Sequence, residues 1–115
     1  MEIRVEIETF DKDLDFDLFG TKTLSKGMQK TIAEGVSVAY EYTEYRKAVG
    51  FADIIHVIVT IGRDVPIGVA AGLIATWLYD KLKGRKVEKL KIERTEIEVD
   101  KGEIKRVIME KIEKD

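Results

Sequence analysis

Residues 2 to 9 alternate strictly, with Ile3, Val5 and Ile7 on one side and Glu2, Arg4, Glu6 and Glu8 on the other. A period of two predicts a half-buried strand. Residues 10 to 19 continue an alternation of Leu14, Phe16 and Leu18 against Asp13, Asp15 and Asp17. Aspartate disfavours strands, so a short edge strand or an extended loop is expected there. Leu24, Met28 and Ile32 recur at i, i+4 and i+8 and point to a helix within 21 to 34, although Gly27 and three threonines weaken it. Val36, Val38, Tyr40 and Tyr42 alternate with Ser37, Ala39, Glu41 and Thr43. This predicts a strand over 36 to 45 with both tyrosines on its buried side.

The segment 50 to 61 is rich in β-branched residues, yet its polar positions Asp53, His56 and Thr60, followed by Arg63, are spaced as on a helix. A helix ended by Gly62 is expected. Asp64 is placed to cap a second helix with Pro66 in its first turn, and Lys81, Lys83 and Gly84 close it, giving a helix over 65 to 83. Over 86 to 99 the inward residues change parity between Ile92 and Ile97. The segment reads as two short strands or one long bent one, and the parity change suits a tight turn or bulge near 93 to 95. Ile104, Val107, Ile108, Met109 and Ile112 predict a last helix over 103 to 113. The pattern describes one α+β domain over residues 1 to 115: a small, mainly antiparallel sheet covered by three helices, one of them apolar all round, with helix slightly exceeding strand.

Composition narrows what such a domain can do. The 115 residues are 44% hydrophobic and 37% charged, which fits a globular chain better than a disordered or integral membrane one. Twenty Lys and Arg against 22 Asp and Glu leave a net charge of -2, so the chain as a whole does not read as a polyanion binder. The absence of cysteine removes disulfides, thiolate metal sites and cysteine nucleophiles, and a single histidine removes multi-histidine metal clusters. No cofactor is expected. Asn is absent, Gln occurs once and Ser twice while Lys and Glu abound, a bias that accompanies selection for high temperature. The start Met1-Glu2-Ile3-Arg4 has no apolar run of the secretory kind, and cytoplasmic residence is expected.

Candidate chemistry is sparse. From Val65 through Tyr79 no residue is charged, and a helical wheel sets Gly68, Gly72, Ala75 and Tyr79 on one small face opposite Pro66, Ala70, Leu73, Ile74 and Trp77. Small side chains let a second helix approach closely. Three readings follow: a core helix packed on both sides, a helix shared between subunits, or a membrane segment. The last is short, since fifteen residues rise about 22 Å against a hydrocarbon core of roughly 30 Å. No transmembrane anchor is expected.

Asp11, Asp13, Asp15 and Asp17 invite a calcium reading, but Phe16 and Lys22 stand where a calcium loop needs Gly and a bidentate Glu, so no metal site is assigned. Asp53 and His56 could pair to orient a general base, or with Thr60 line a ligand site, but Thr60 is a poor nucleophile without an oxyanion hole and no catalytic residue is assigned. The basic run Lys81, Lys83, Arg85, Lys86, Lys89 and Lys91 is diluted by Asp80 and Glu88 and lacks interleaved aromatics, so no nucleic-acid partner is expected. Gly62, Gly68 and Gly72 match neither phosphate-binding glycine pattern.

From about 50 to 100 a Gly- and Ala-rich apolar helical region ends in Trp77-Leu78, a basic run follows over Lys81 to Lys86, and a hairpin has Thr95-Glu96-Ile97-Glu98-Val99-Asp100 as its second strand. This order of features resembles the effector-associated constant component family. Members of that family are regarded as non-enzymatic adaptors accompanying effector enzymes in bacterial conflict systems. The resemblance implies protein coupling and carries over no functional residues. The chain is therefore expected to be an interaction or oligomerisation module, forming a homo-oligomer or meeting a protein partner through Gly68, Gly72, Ala75 and Tyr79. The alternative is a small-ligand or substrate domain with a polar site at Asp53, His56 and Thr60.

Overall fold

The structure is a computed structural model and describes residues 1 to 46 and 49 to 114. In chain order the elements are β1 (Glu2–Thr9), α1 (Leu14–Phe19), β2 (Gln29–Ala33), β3 (Val36–Glu44), β4 (Asp53–Ile61), α2 (Ile67–Leu82), β5 (Val87–Ile92), β6 (Thr95–Ile97) and α3 (Lys101–Lys114). The strands form one antiparallel sheet in the order β2-β3-β4-β1-β5-β6. The α+β class and the antiparallel sheet expected from the sequence are present, as are the strand at the N-terminus, the 36 to 44 strand and the two long helices.

The alternation on β1 divides the molecule into two sides. Ile3, Val5 and Ile7 join Val36, Val38, Tyr40, Ile55, Val57, Val59, Leu90 and Ile92 in a single core closed by Ala70, Ala71, Ile74, Leu78 and Leu82 of α2 and by Ile104, Val107 and Ile108 of α3. Glu2, Arg4, Glu6 and Glu8 point to the other side of the sheet, away from that core. Between β5 and β6, Glu93 and Arg94 both have positive φ, 46° and 70°, as a two-residue primed turn requires. Non-glycine residues resist that conformation. Here the turn is tied down, because Glu93 N–H donates to the Arg4 carbonyl and Glu93 Oε1 accepts from Arg4 N–H, both at 2.9 Å. This is the tight turn expected near 93 to 95.

Five expectations are corrected. Residues 53 to 61 form strand β4, beside β1 at the centre of the sheet, and not a helix. Residues 14 to 19 form the short helix α1, burying Leu14, Leu18 and Phe19 at i, i+4 and i+5 and ending on Gly20 at φ 63°. The 21 to 34 segment ends in edge strand β2, because a spacing of four places Met28 and Ile32 on one side of a strand as readily as of a helix. Strand residues accordingly outnumber helical ones. The N-terminus of α2 also differs: Pro66 occupies the cap position, with no side-chain cap from Asp64.

Candidate functional sites

Burial on α2 follows a wheel different from the one the small residues suggest. Ala70, Ala71, Ile74, Ala75, Leu78 and Leu82 are buried, so Ala75 belongs to the core and is not on a surface a partner could reach. Gly68 and Gly72 face open space: a Cβ added at either meets nothing within 4 Å. Tyr79 lies at the flank, half-buried, with Lys83 Nζ 5.9 Å from its ring centroid. The outward surface of the helix is made by Val69, 53% exposed, with Gly72, Leu73 and Thr76, and Ile67 is 42% exposed at the first turn. No charged side chain stands among these positions.

Strand geometry separates the three polar residues that helical spacing had grouped. Asp53 points to the helix side with Ile55 and Val57, whereas His56 and Thr60 point to the open side. His56 and Thr60 are themselves about 13 Å apart along the strand, at roughly 3.3 Å per residue. Asp53, His56 and Thr60 therefore do not form one site.

Asp53 is 3% exposed and fully engaged, its Oδ2 facing Lys12 Nζ at 3.0 Å and its Oδ1 accepting Arg46 N–H at 2.9 Å. It fastens the ends of the β3–β4 connection. A second buried carboxylate, Asp15 on α1, accepts from Phe16 N–H, from the Thr43 hydroxyl at 2.9 Å and from the Tyr45 hydroxyl at 2.6 Å. Burial and the hydrogen bond to Asp15 push the Tyr45 phenol well above its ordinary value. The other aspartates of the acidic run do not converge on a cation site. Asp11 and Asp17 both bind the Arg85 guanidinium, which holds the Asp11 carboxyl below its ordinary value and raises Arg85 itself. Among the described residues no group of three or more His, Asp or Glu side chains is placed to hold a metal.

His56 meets a different set of neighbours. β3 carries a bulge between Tyr40 and Tyr42, so Tyr40 stays in the core while Tyr42 turns to the open face, 47% exposed. Both tyrosines had been expected on the buried side. Tyr42 stacks on His56 with ring centroids 4.2 Å apart and planes 15° from parallel. Glu44 Oε1 lies 3.3 Å from His56 Nε2, and Glu6 Oε1 lies 3.8 Å from Nδ1. Arg4 and Glu41 form an ion pair at 3.6 Å on the same face. Arg4, Glu6, Glu41, Tyr42 and His56 border a cleft of about 640 Å³ that continues past Glu93 and Arg94 to Lys111 and Lys114. The cross-strand partners Glu6 and Tyr42, and Glu44 two residues further along β3, were not legible as neighbours of His56, since their register depends on a pairing and a bulge that the sequence does not announce. One row along, Glu8 Oε2 is buried without a hydrogen-bond partner among the described residues.

No protein-family model, curated protein or solved structure matches the chain. Among the described residues no helix is long and apolar enough to cross a membrane.

Proposed function

We propose that the chain is a non-enzymatic self-association module and that a second copy covers the outward face of α2. The observation that carries this reading is the absence of charge from Val65 through Tyr79 in a chain that is 37% charged, including the positions facing solvent. A helix apolar all round is a buried helix, and here one chain covers only one of its sides. The face also complements itself. Val69 and Leu73 form a ridge at i, i+4 beside a groove at Gly68 and Gly72, and a two-fold contact would seat each ridge in the partner's groove. The features shared with effector-associated adaptors point the same way, with an effector protein as a further partner for the assembled module.

Light scattering of the purified chain at tens of micromolar tests this. The expected mass is a multiple of one chain, and Leu73→Glu should return it to one chain without loss of helical circular dichroism, because Leu73 is only partly buried. A single-chain mass for the unaltered protein overturns the reading. A second reading, binding of a small polar ligand in the open-face cleft, rests on the Tyr42–His56 stack and its paired carboxylates. It gains the lead if His56→Ala abolishes a detected ligand while mass and melting temperature stay unchanged.

A further inference from the structure

Four of the chain's exposed large hydrophobic residues gather at one end of the sheet: Phe10 at 41%, Tyr45 at 53%, Phe51 at 55% and Val49 at 101% exposure. They line one depression with Lys12, Arg46, Gly50 and Asp53, between the chain that follows β1 and the chain that precedes β4. The sole carboxylate among these lining residues is Asp53, which is buried and turned toward Lys12 and Arg46 N–H. Two acids near this end are also engaged elsewhere, Asp15 inward to Tyr45 and Asp11 to Arg85, while Asp13 is exposed. The Lys86 backbone holds Phe10 in place, its carbonyl accepting from both Phe10 N–H and the Thr9 hydroxyl at 2.9 Å. An acidic chain thus presents, at one place, aromatic and aliphatic groups with cations beside them.

We infer that this end docks on an anionic lipid surface, independently of the self-association proposed for α2. Val49 and Phe51 offer no side-chain hydrogen-bonding group, and Val49 stands fully in solvent, so the outermost part of the surface recognises nothing by polar contact. Aromatic rings at the headgroup level, aliphatic groups just beyond them and Lys or Arg beside phosphate are the arrangement a bilayer interface rewards. The Tyr45 ring is suited to that depth, because its hydroxyl is already satisfied by Asp15 and stays out of the contact. Attraction by Arg46, and by Lys12, whose side chain stays 62% exposed beside its partner Asp53, makes binding depend on anionic lipid and on salt.

The test is co-sedimentation of the whole chain with phosphatidylcholine vesicles and with vesicles containing about one third phosphatidylglycerol, at low and high salt. Binding to the anionic vesicles is expected to be at least about tenfold stronger, and to weaken as salt rises. The double variant Val49→Asp, Phe51→Asp should lose about tenfold or more of it while keeping its melting temperature, since neither side chain belongs to the core. Arg46→Glu should lose the preference for anionic lipid. Equal binding to both vesicles, no binding to either, or anionic binding unchanged by the double variant overturns the inference. So does a fluorescent oligodeoxythymidine that binds with no vesicle binding and is released by the same double variant, which would assign the surface to single strands instead.

Discussion

Tyr45 donates its hydroxyl to Asp15 across 2.6 Å, joining the end of β3 to α1 through a carboxylate only 2% exposed. Thr43 donates to the same oxygen, and the Tyr40 hydroxyl lies 2.7 Å from that of Thr43, so three side chains of β3 and its exit converge on one buried charge. Tyr45→Phe removes one donor and leaves the carboxylate under-satisfied, at a cost of about 1 to 3 kcal/mol. Urea unfolding measures it.

The same bond has a pH signature. The folded protein raises the Tyr45 phenol above its ordinary value of 10.0, so it binds that proton more tightly than the unfolded chain does. Stability from this group is present below pH 10 and lost as pH rises above it. The difference in alkaline absorbance titration between the unaltered protein and Tyr45→Phe should place the lost phenol above its ordinary value. A difference centred on the ordinary value would contradict the assignment.

Arg85 gives the opposite slope. It binds Asp11 and, at 2.8 Å, Asp17, pinning α1 against the chain that leaves α2. Because Asp11 is held below its ordinary value of 3.8 by that guanidinium, its contribution is present above about pH 3.8 and is lost as pH falls through the lower folded value. Asp11→Asn should cost about 1 kcal/mol at neutral pH and flatten the acid limb of the stability curve. An acid limb identical to that of the unaltered protein would exclude this pair as its source.

Gly35 sits at φ 81°, and its carbonyl accepts Gly62 N–H at 2.7 Å. A Cβ there would collide with Val65 Cγ2, whereas at Gly27, φ 88°, it would meet nothing within 4 Å. Gly27→Ala therefore incurs backbone strain alone, about 1 kcal/mol, and Gly35→Ala adds overpacking, for about 2 to 4 kcal/mol in all. Thermal melts of the two variants should rank in that order.

The parts of the fold that the sequence announces are those where one periodicity fits and the other fails. β1 alternates without exception, and α3 repeats at three and four. Misreadings fall where both periods fit. Met28 and Ile32, or His56 and Thr60, share a face in a helix and in a strand alike. On β4 the alternation is blurred because Ile54 and Ile58 are apolar on the open face, where the stems of long charged neighbours such as Glu8, Glu44 and Arg4 shelter them. Asp53 added the misleading third polar position, although it is a buried anchor satisfied from two directions. The Tyr42–His56 stack was hidden for another reason, since a single bulge turns Tyr42 out while Tyr40 stays in the core.

Gly72 offers the sharpest separation between a helix that is merely half covered and one that meets a second copy. Gly72→Leu introduces no collision within the chain, because a Cβ at that position meets nothing within 4 Å. Replacing a mid-helix glycine by leucine also favours the helix by about 0.5 to 1 kcal/mol. For an isolated chain the melting temperature should therefore rise slightly, at every protein concentration alike. In an assembly that seats a ridge of the partner against Gly68 and Gly72, the same leucine props the helices apart. Overpacking of about 1 to 3 kcal/mol weakens the dissociation constant by about one or two decades. Light scattering should then show the mass falling to one chain at concentrations where the unaltered protein remains assembled, and the melting temperature should stop depending on concentration. A variant that melts higher yet keeps the assembled mass would move the contact off α2, to a sheet edge such as β2 or β6.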